Sequence, residues 1–83
     1  MYSLNWKEGA VKDFQKLEKM MASRILKKIE YLVSTESFSD VKKLRGLNFF
    51  RLRIGEYRII FTRENSVITI LKIGHRKNIY DKI

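Results

Sequence analysis

The amino-acid sequence predicts an α+β domain of order β-α-α-β-β-β, in which a helical hairpin packs on one face of an antiparallel sheet. Three features lead to this prediction: a short alternating run at the N-terminus, a long stretch with helical spacing behind it, and three strand-like runs in the second half. Helices and strands that segregate along the chain are typical of α+β folds. The 83 residues, 45% of them apolar, suit one domain over residues 1–83.

The first strand and both helices come from the first 35 residues. Residues 2–6 alternate between apolar and polar side chains, which predicts a strand that joins the later sheet. From Glu8 to about Thr35 the apolar residues recur at helical spacing. One helix of about 27 residues would be about 40 Å long, whereas a strand of six or seven residues spans only about 20 Å. We therefore expect a break between Lys19 and Ser23, with Ser23 as the N-cap of the second helix.

A polar and then basic stretch joins the helices to the sheet. Residues 34–40 are rich in serine and are typical of a loop. The next segment, residues 42–46, carries the cations Lys42, Lys43 and Arg45. It is either a solvated connector or a rim that tracks a phosphate backbone, and the sequence favours neither.

A β-hairpin at residues 49–61 is the clearest element. Two alternating runs flank Gly55-Glu56, and a two-residue turn with Gly first suits type II′. One face then collects the apolar residues Phe50, Leu52, Ile54, Tyr57, Ile59 and Phe61. The other face collects Arg51, Arg53 and Arg58, with Arg53 directly opposite Arg58. Because like charges in that position cost stability, this face is suited to a polyanion.

The last strand, at residues 67–73, is apolar on both sides, which predicts a central position in the sheet or a partly covered outer face. A two-residue turn before it would point Lys72 into the core, at a high cost in desolvation. We therefore predict a three-residue turn at residues 64–66 and Lys72 outside. This turn buries Val67, Leu71 and Ile73. The same parity carries Arg76 to the face of the hairpin arginines and His75 to the core side.

Of the net charge of +9, the second half of the chain carries +8. Residues 1–41 carry seven cations and six acids, whereas residues 42–83 carry eleven cations and three acids. Six of the seven arginines are in the second half, and the forked guanidinium suits phosphate contacts. Arginines that alternate with core residues favour nucleic-acid binding over a merely soluble surface.

Several classes of protein are disfavoured. The chain has no cysteine and one histidine, which argues against disulfides, thiolate sites and zinc. We expect neither a metal nor a cofactor. The N-terminus lacks the features of a signal peptide, and no apolar run nears the roughly 20 residues of a membrane span. We therefore expect a cytoplasmic protein with no membrane partner.

Three motifs stand out jointly: Leu44-Arg45-Gly46, Arg-Leu-Arg-Ile-Gly-Glu-Tyr-Arg-Ile-Ile-Phe at 51–61, and Lys-Ile-Gly-His-Arg-Lys-Asn-Ile-Tyr at 72–80. With the chain length and element order, they closely resemble the RelE/ParE toxin superfamily. The resemblance implies a RelE-like toxin domain over residues 1–83, paired with a cognate antitoxin. RelE-like members enter the ribosomal A site and cut the messenger RNA there without a metal, which inhibits translation. Their ribose 2′-hydroxyl attacks the adjacent phosphate.

The resemblance also implies site residues. Arg58 and Arg76 match the family's phosphate-binding arginines, and Tyr80 matches its C-terminal catalytic tyrosine. Arg51 and Arg53 fall where the family's enzymes often have lysines, and a guanidinium is a poor proton shuttle. The expected catalytic residues are Arg51, Arg53, Arg58 and Arg76 for electrostatic stabilisation, with Tyr80 or His75 for proton transfer. The expected RNA-binding residues are Lys42, Lys43, Arg45, Arg51, Arg53, Arg58 and Lys77.

Other functions and roles stay open. ParE-like members of the superfamily poison DNA gyrase without being nucleases, and a nuclease-dead RNA-binding module would carry the same cationic face. The arginine face and the Gly-His-Arg end favour the endonuclease, whereas the missing lysines leave room for the other two. Tyr80 could instead be a terminal anchor packed on the sheet, and His75 a strand-end residue without chemistry.

Overall fold

The computed structural model describes residues 2–35, 41–44 and 48–79. In chain order the elements are β1 (Ser3–Trp6), α1 (Glu8–Gln15), α2 (Lys19–Thr35), β2 (Val41–Lys43), β3 (Phe49–Ile54), β4 (Tyr57–Glu64) and β5 (Val67–His75). The strands form one sheet in the order β1-β5-β4-β3-β2. β1 runs parallel to β5, and the other neighbouring strands are antiparallel. The predicted α+β fold is confirmed, with one strand more than expected.

The hydrophobic core lies between the helices and one face of the sheet. Its buried members are Ala10, Ile25, Ile29 and Leu32 from the helices, and Leu52, Ile54, Ile59, Phe61, Ile68, Ile70 and Ile73 from the strands. The rings of Trp6 and Phe14 meet edge to face with their centroids 5.5 Å apart, which joins β1 to α1. β5 lies between β1 and β4, the central position that its two-sided apolar pattern predicts.

The break between the helices lies at residues 16–18, so the prediction of a break between Lys19 and Ser23 is wrong. Ser23 is an exposed residue inside α2 and does not cap it. The amide of Leu17 donates to the carbonyl of Phe14 at 3.1 Å, an i→i−3 bond that tightens the end of α1. Both side chains pack against the core. The chain therefore turns where a tertiary contact requires it, without a capping residue in the sequence to mark the place.

The β3–β4 hairpin has the predicted register. Ile54 pairs with Tyr57, and Arg53 pairs with Arg58. Gly55 adopts a φ of 55°, which the first central residue of a type II′ turn requires and which glycine adopts without strain. The apolar face of this hairpin packs on the helices, so its arginines lie on the opposite face of the sheet.

The β4–β5 connection differs from the prediction of a three-residue turn. The turn has two residues, Asn65 and Ser66, with φ values of 51° and 64°, as in the type I′ turns that suit hairpins. Arg63 consequently pairs with Ile68 and Phe61 with Ile70. The residues in the core are therefore Ile68, Ile70 and Ile73, whereas Val67 and Leu71 are only partly buried.

A β-bulge explains why the predicted facing is wrong for Val67 and Leu71 but correct for Lys72 and Ile73. The register shifts between Ile60 and Phe61, because Phe61 pairs with Ile70 whereas Ile60 pairs with Lys72. Leu71 is the extra residue on β5, and it resets the alternation of side chains. Lys72 thus lies opposite Ile60, away from the core, despite the two-residue turn. The desolvation cost that argued against this turn does not arise.

The additional strand β2 comes from the basic segment after the helices. Its three residues pair with β3 at the edge of the sheet, with Lys42 opposite Arg51 and Lys43 opposite Phe50. The amide of Leu44 donates to the carbonyl of Phe49 at 2.8 Å and closes the connection. A short, lysine-bearing edge strand is a common protection against unwanted strand pairing.

Candidate nucleic-acid interface

The sheet face opposite the helices carries two rows of side chains across the strands. The first row is Lys42, Arg51, Ile60 and Lys72, and the second is Arg53, Arg58 and Gly74. Cations thus occupy both rows, around a buried isoleucine. Lys43 points to the other face with Phe50, so only one of the two predicted lysines of β2 joins this surface. Arg45, also predicted to bind RNA, lies outside the described residues.

Arg58 is fixed by the hairpin that contains it. Its Nη1 donates to the carbonyl of Gly55 at 2.8 Å and to the carbonyl of Tyr57 at 2.9 Å. Its Nε is buried and has no hydrogen-bond acceptor among the described residues. A buried donor without an acceptor is costly. The two carbonyls therefore hold the guanidinium in a defined orientation on the cationic face.

Arg51, Arg58, Arg76 and Lys77 line an open cleft of about 420 Å³, here called the arginine cleft. Three of the predicted catalytic arginines and one predicted RNA-binding lysine therefore share one site. Arg76 reaches it by a route that strand parity did not foresee. Its amide donates to the carbonyl of Glu56 at 2.8 Å, and its Nε forms an ion pair with the carboxylate of Glu56. The turn after β5, rather than the strand itself, places Arg76 beside the hairpin.

Arg53 is placed differently from the other arginines. It is directly across from Arg58 in the register, but it is exposed and lines a second cleft between α2 and the β3–β4 turn. The predicted group of four arginines is therefore divided, with three in the arginine cleft and Arg53 at the border between the two clefts.

His75 lies on the side of the sheet that the sequence predicts. It pairs with Tyr57, and the two rings meet edge to face with centroids 5.7 Å apart. Its Nδ1 accepts a hydrogen bond from the amide of Lys77 at 3.2 Å. Nε2 is therefore the ring nitrogen that could take part in proton transfer. His75 lines a small cavity of about 180 Å³ with Asp13 and Lys72, not the arginine cleft. Tyr80, the other candidate for proton transfer, lies outside the described residues.

Asp13 is a site residue that the sequence argument missed. β1 follows β5 only as far as Ile70, whose carbonyl accepts the amide of Lys7 at 2.9 Å. Beyond that point no strand among the described residues pairs with the outer edge of β5. Oδ2 of Asp13 accepts the amide of Ile73 there, at 3.0 Å. Asp13 follows buried Ala10 by three residues on α1, and helical spacing therefore places it beside the apolar stripe. An acid at that position is the feature of the sequence that could have indicated a partly buried role.

Gly74 allows the chain after β5 to fold against the cationic face. A Cβ at this position would lie 3.0 Å from Cδ1 of Ile79, and Ile79 is 1% exposed. Gly74 pairs with Arg58, so its missing side chain is on the cationic face. Ile79 therefore holds the described end of the chain close to Arg58, directly before Tyr80.

Two absences concern the described part of the chain. Within residues 2–35, 41–44 and 48–79 no group of three or more His, Asp or Glu residues could hold a metal ion. None of the helices described is long and apolar enough to cross a membrane.

Lys72 is a further cation on the cationic face. The sequence places it outside the core but does not assign it to the site.

Comparison with known proteins agrees with the fold and the motifs. The family described as ParE toxin of type II toxin-antitoxin system, parDE, matches residues 4–80. Toxin RelE3 of Methanocaldococcus jannaschii is 34% identical over 76 residues, 86% of each protein. The RelB-RelE antitoxin-toxin complex from Methanococcus jannaschii contains a chain with a TM-score of 0.80 and 30% identity, covering 95% of this chain and 98% of that one.

The archaeal RelE-RelB complex from Pyrococcus horikoshii OT3 is similar as well, with a TM-score of 0.73 and 34% identity over 90% of this chain and 94% of that chain. The family match over residues 4–80 includes the hairpin, the bulged strand and the Gly-His-Arg segment. The chain therefore belongs to the RelE/ParE toxin family of type II toxin–antitoxin systems.

Proposed function

We propose that this protein is a ribosome-dependent messenger-RNA endonuclease, a metal-independent toxin that enters the ribosomal A site and thereby inhibits translation. The observation that carries the proposal is the orientation of Arg58. Two hairpin carbonyls hold its guanidinium in a fixed orientation, and Arg51 and Arg76 share its cleft. Preorganised donors of this kind stabilise charge that develops in a transition state.

The proposed reaction forms one bond and breaks one. The 2′-oxygen of the ribose attacks the adjacent phosphorus, and the bond from phosphorus to the 5′-oxygen breaks, leaving a cyclic phosphate and a 5′-hydroxyl. Negative charge accumulates on the phosphorane, and the arginine cleft would neutralise it. Arg51, Arg58 and Arg76 take this role. Lys77 lines the cleft, and Lys42 lies on the same sheet face opposite Arg51. Both lysines would contact the flanking phosphates.

The reaction also needs a group that takes the 2′-proton and a group that gives a proton to the 5′-oxygen. Arginine is unsuited to this, because its guanidinium stays protonated at neutral pH. We assign proton transfer to Tyr80 in the first place. The residue directly before it, buried Ile79, packs against Gly74 on the cationic face. His75 is the second candidate, because it lines the neighbouring cavity rather than the arginine cleft.

A cognate antitoxin is the proposed protein partner. The similar solved chains from Methanococcus jannaschii and Pyrococcus horikoshii are in complexes with RelB. The net charge of +8 in the second half of this chain favours an antitoxin segment that is acidic or amphipathic. We propose that this segment covers the arginine cleft. A complex in which the antitoxin contacts only the helices and leaves Arg51 and Arg58 exposed would contradict direct blocking.

Poisoning of DNA gyrase is the second candidate function. The family description that matches residues 4–80 is that of a ParE toxin, and Arg51 and Arg53 replace the lysines often found in RelE-like enzymes. Induced expression followed by mapping of messenger-RNA ends, beside a gyrase cleavage assay on the purified protein, separates the two. New 5′-hydroxyl ends inside translated codons support the endonuclease. Stabilised gyrase–DNA breaks without new RNA ends overturn it, and neither signal with retained RNA binding indicates a nuclease-dead module.

A further inference from the structure

A second cationic cleft lies between α2 and the β3–β4 turn, and we call it the helix cleft. It has a volume of about 710 Å³, larger than that of the arginine cleft. Its cations are Arg24, Lys27 and Lys28 from α2 and Arg53 from β3. The described residues that line it include no carboxylate. Four cations around one open space of this size form a strong local attraction for an anion.

The helix cleft is built by the spacing of residues on α2 and by the packing of Arg24 beside the β3–β4 turn. Arg24, Lys27, Lys28 and Tyr31 are related by steps of three and four residues, so they share one side of α2. The two terminal nitrogens of Arg24 lie 3.7 and 3.9 Å from the position a Cβ would take on Gly55. These are ordinary van der Waals distances, so the guanidinium of Arg24 packs directly beside the turn.

The two clefts meet at the hairpin. Arg53 lines the helix cleft, its register partner Arg58 lines the arginine cleft, and the two residues lie directly opposite one another on adjacent strands. We propose that the helix cleft binds a second stretch of single-stranded RNA, so that one strand crosses the Arg53–Arg58 pair from the arginine cleft to α2. The inference rests on the proposed function for the substrate class and extends it to a second phosphate-binding segment.

Tyr31 favours RNA over an acidic peptide as the ligand. Tyr31 is 53% exposed and lies at the end of the cationic row on α2. Grooves that bind single strands combine cations, which contact the backbone, with aromatic rings on which bases stack. An acidic peptide would be attracted by the cations but has no base to stack on the ring. The combination of four cations and an exposed ring therefore matches a nucleic-acid strand.

The test measures binding of fluorescein-labelled 2′-O-methyl oligouridine by anisotropy, because this RNA lacks the 2′-hydroxyl that cleavage needs. The strand has about 12 nucleotides, within the range that single-strand grooves cover. The variant replaces Arg24, Lys27 and Lys28 by glutamine. The matched control replaces Lys12, Lys16 and Lys19, three exposed lysines that line neither cleft, so both proteins lose the same charge.

The dependence of affinity on salt is the main measurement. Each lost phosphate contact lowers the slope of log K against log salt by about 0.7 for a single strand, so the helix-cleft variant should lose about two units of slope. The control variant should keep the wild-type slope. Tyr31→Ala should weaken binding on the order of tenfold while Tyr31→Phe does not, because stacking needs the ring and not the hydroxyl. Equal slopes for the two triple variants would overturn the inference, as would equal binding by the two Tyr31 variants.

A trinucleotide of the same chemistry separates this inference from the proposed function. It fills only the arginine cleft, so its affinity should fall in Arg58→Ala and stay unchanged in the helix-cleft variant. Failure of the proposed function appears as absence of messenger-RNA cleavage, which leaves these binding results unaffected. Polyglutamate is the third probe. If it loses affinity for the helix-cleft variant while the 12-nucleotide RNA does not, the cleft binds an acidic protein segment and the RNA assignment is wrong.

Discussion

Replacement of Asp13 tests how the end of β5 is held. Oδ2 of Asp13 accepts the amide of Ile73 at 3.0 Å, from a partly buried position. Hydrogen bonds to charged groups contribute about 1.5–3 kcal/mol, and water access to this site favours the lower end. We therefore expect Asp13→Ala to lower the free energy of unfolding by about 1.5 kcal/mol. For a domain of this size that is a fall in Tm of roughly 6–12 °C.

Asp13→Asn separates the charge from the hydrogen bond. The amide oxygen can still accept from Ile73, and a neutral acceptor retains about half the strength of a charged one. The loss should therefore be about 0.7 kcal/mol, between the wild type and Asp13→Ala. Glu30→Gln is the control, since it removes an acid from an exposed position on α2. It should change the free energy of unfolding by less than about 0.5 kcal/mol.

Thermal unfolding followed by circular dichroism gives the stability, and amide hydrogen exchange locates the change. In Asp13→Ala the amide of Ile73 should lose protection, whereas the amide of Ile70, which lies in the part of β5 covered by β1, should keep it. Asp13→Ala with the stability of the wild type, or an Ile73 amide that stays protected in it, would refute the role of this carboxylate.

Three further substitutions should shift Tm by known physical causes. Gly74→Ala should cost about 1 kcal/mol, because the new Cβ would lie 3.0 Å from Cδ1 of buried Ile79, which has to shift; a higher Tm would contradict the packing of Ile79 on Gly74. Gly9→Ala should instead stabilise by about 0.5–1 kcal/mol, because it lies in α1 and its Cβ meets nothing closer than 4.0 Å; a loss of stability there would contradict the open space. Ser66→Gly should raise the stability by about 0.5–1 kcal/mol, since Ser66 has a φ of 64° and the left-handed region costs a residue with a Cβ about 1–2 kcal/mol; a lower Tm would contradict this turn geometry.

The hairpin at residues 49–61 could be predicted from the sequence because two local signals agree. Its alternation assigns each side chain to a face, and Gly55 fixes the turn that sets the register. The pairing of Arg53 with Arg58 followed directly from these two signals, and the structure has it. Local turn chemistry and hydrophobic pattern determine a register together when neither is ambiguous.

The register of β5 could not be predicted because a bulge has no reliable mark in composition. Leu71 is one apolar residue among several, and nothing in the sequence distinguishes it as the residue that leaves the ladder. The location of Arg76 beside Arg58 was expected on the wrong grounds: the turn after His75 and the contact with Glu56 produce it. The bulge offsets the error in the turn, so the predicted facing of Lys72, Ile73 and His75 is correct although the predicted turn is not.

The remaining differences come from contacts between distant parts of the chain. The helix break follows the packing of Phe14 and Leu17 against the core, and β2 forms because β3 offers it an edge. The bond from Asp13 to Ile73 joins residues 60 positions apart, beyond the reach of local patterns. The helix cleft likewise exists only because α2 packs beside the β3–β4 turn, which brings Arg24 to Gly55.

The most direct test of the arginine cleft as a catalytic site is the rate at which the Arg58→Ala variant, at saturating concentration, cleaves messenger RNA on programmed ribosomes. Because Arg58 is the preorganised donor of the arginine cleft, its removal should slow cleavage on the order of a hundredfold or more. Lys16→Ala, which loses one exposed cation of α1's C-terminal end, should cleave at the wild-type rate. Arg58→Ala that cleaves as fast as Lys16→Ala would contradict the claim that this cleft stabilises the transition state.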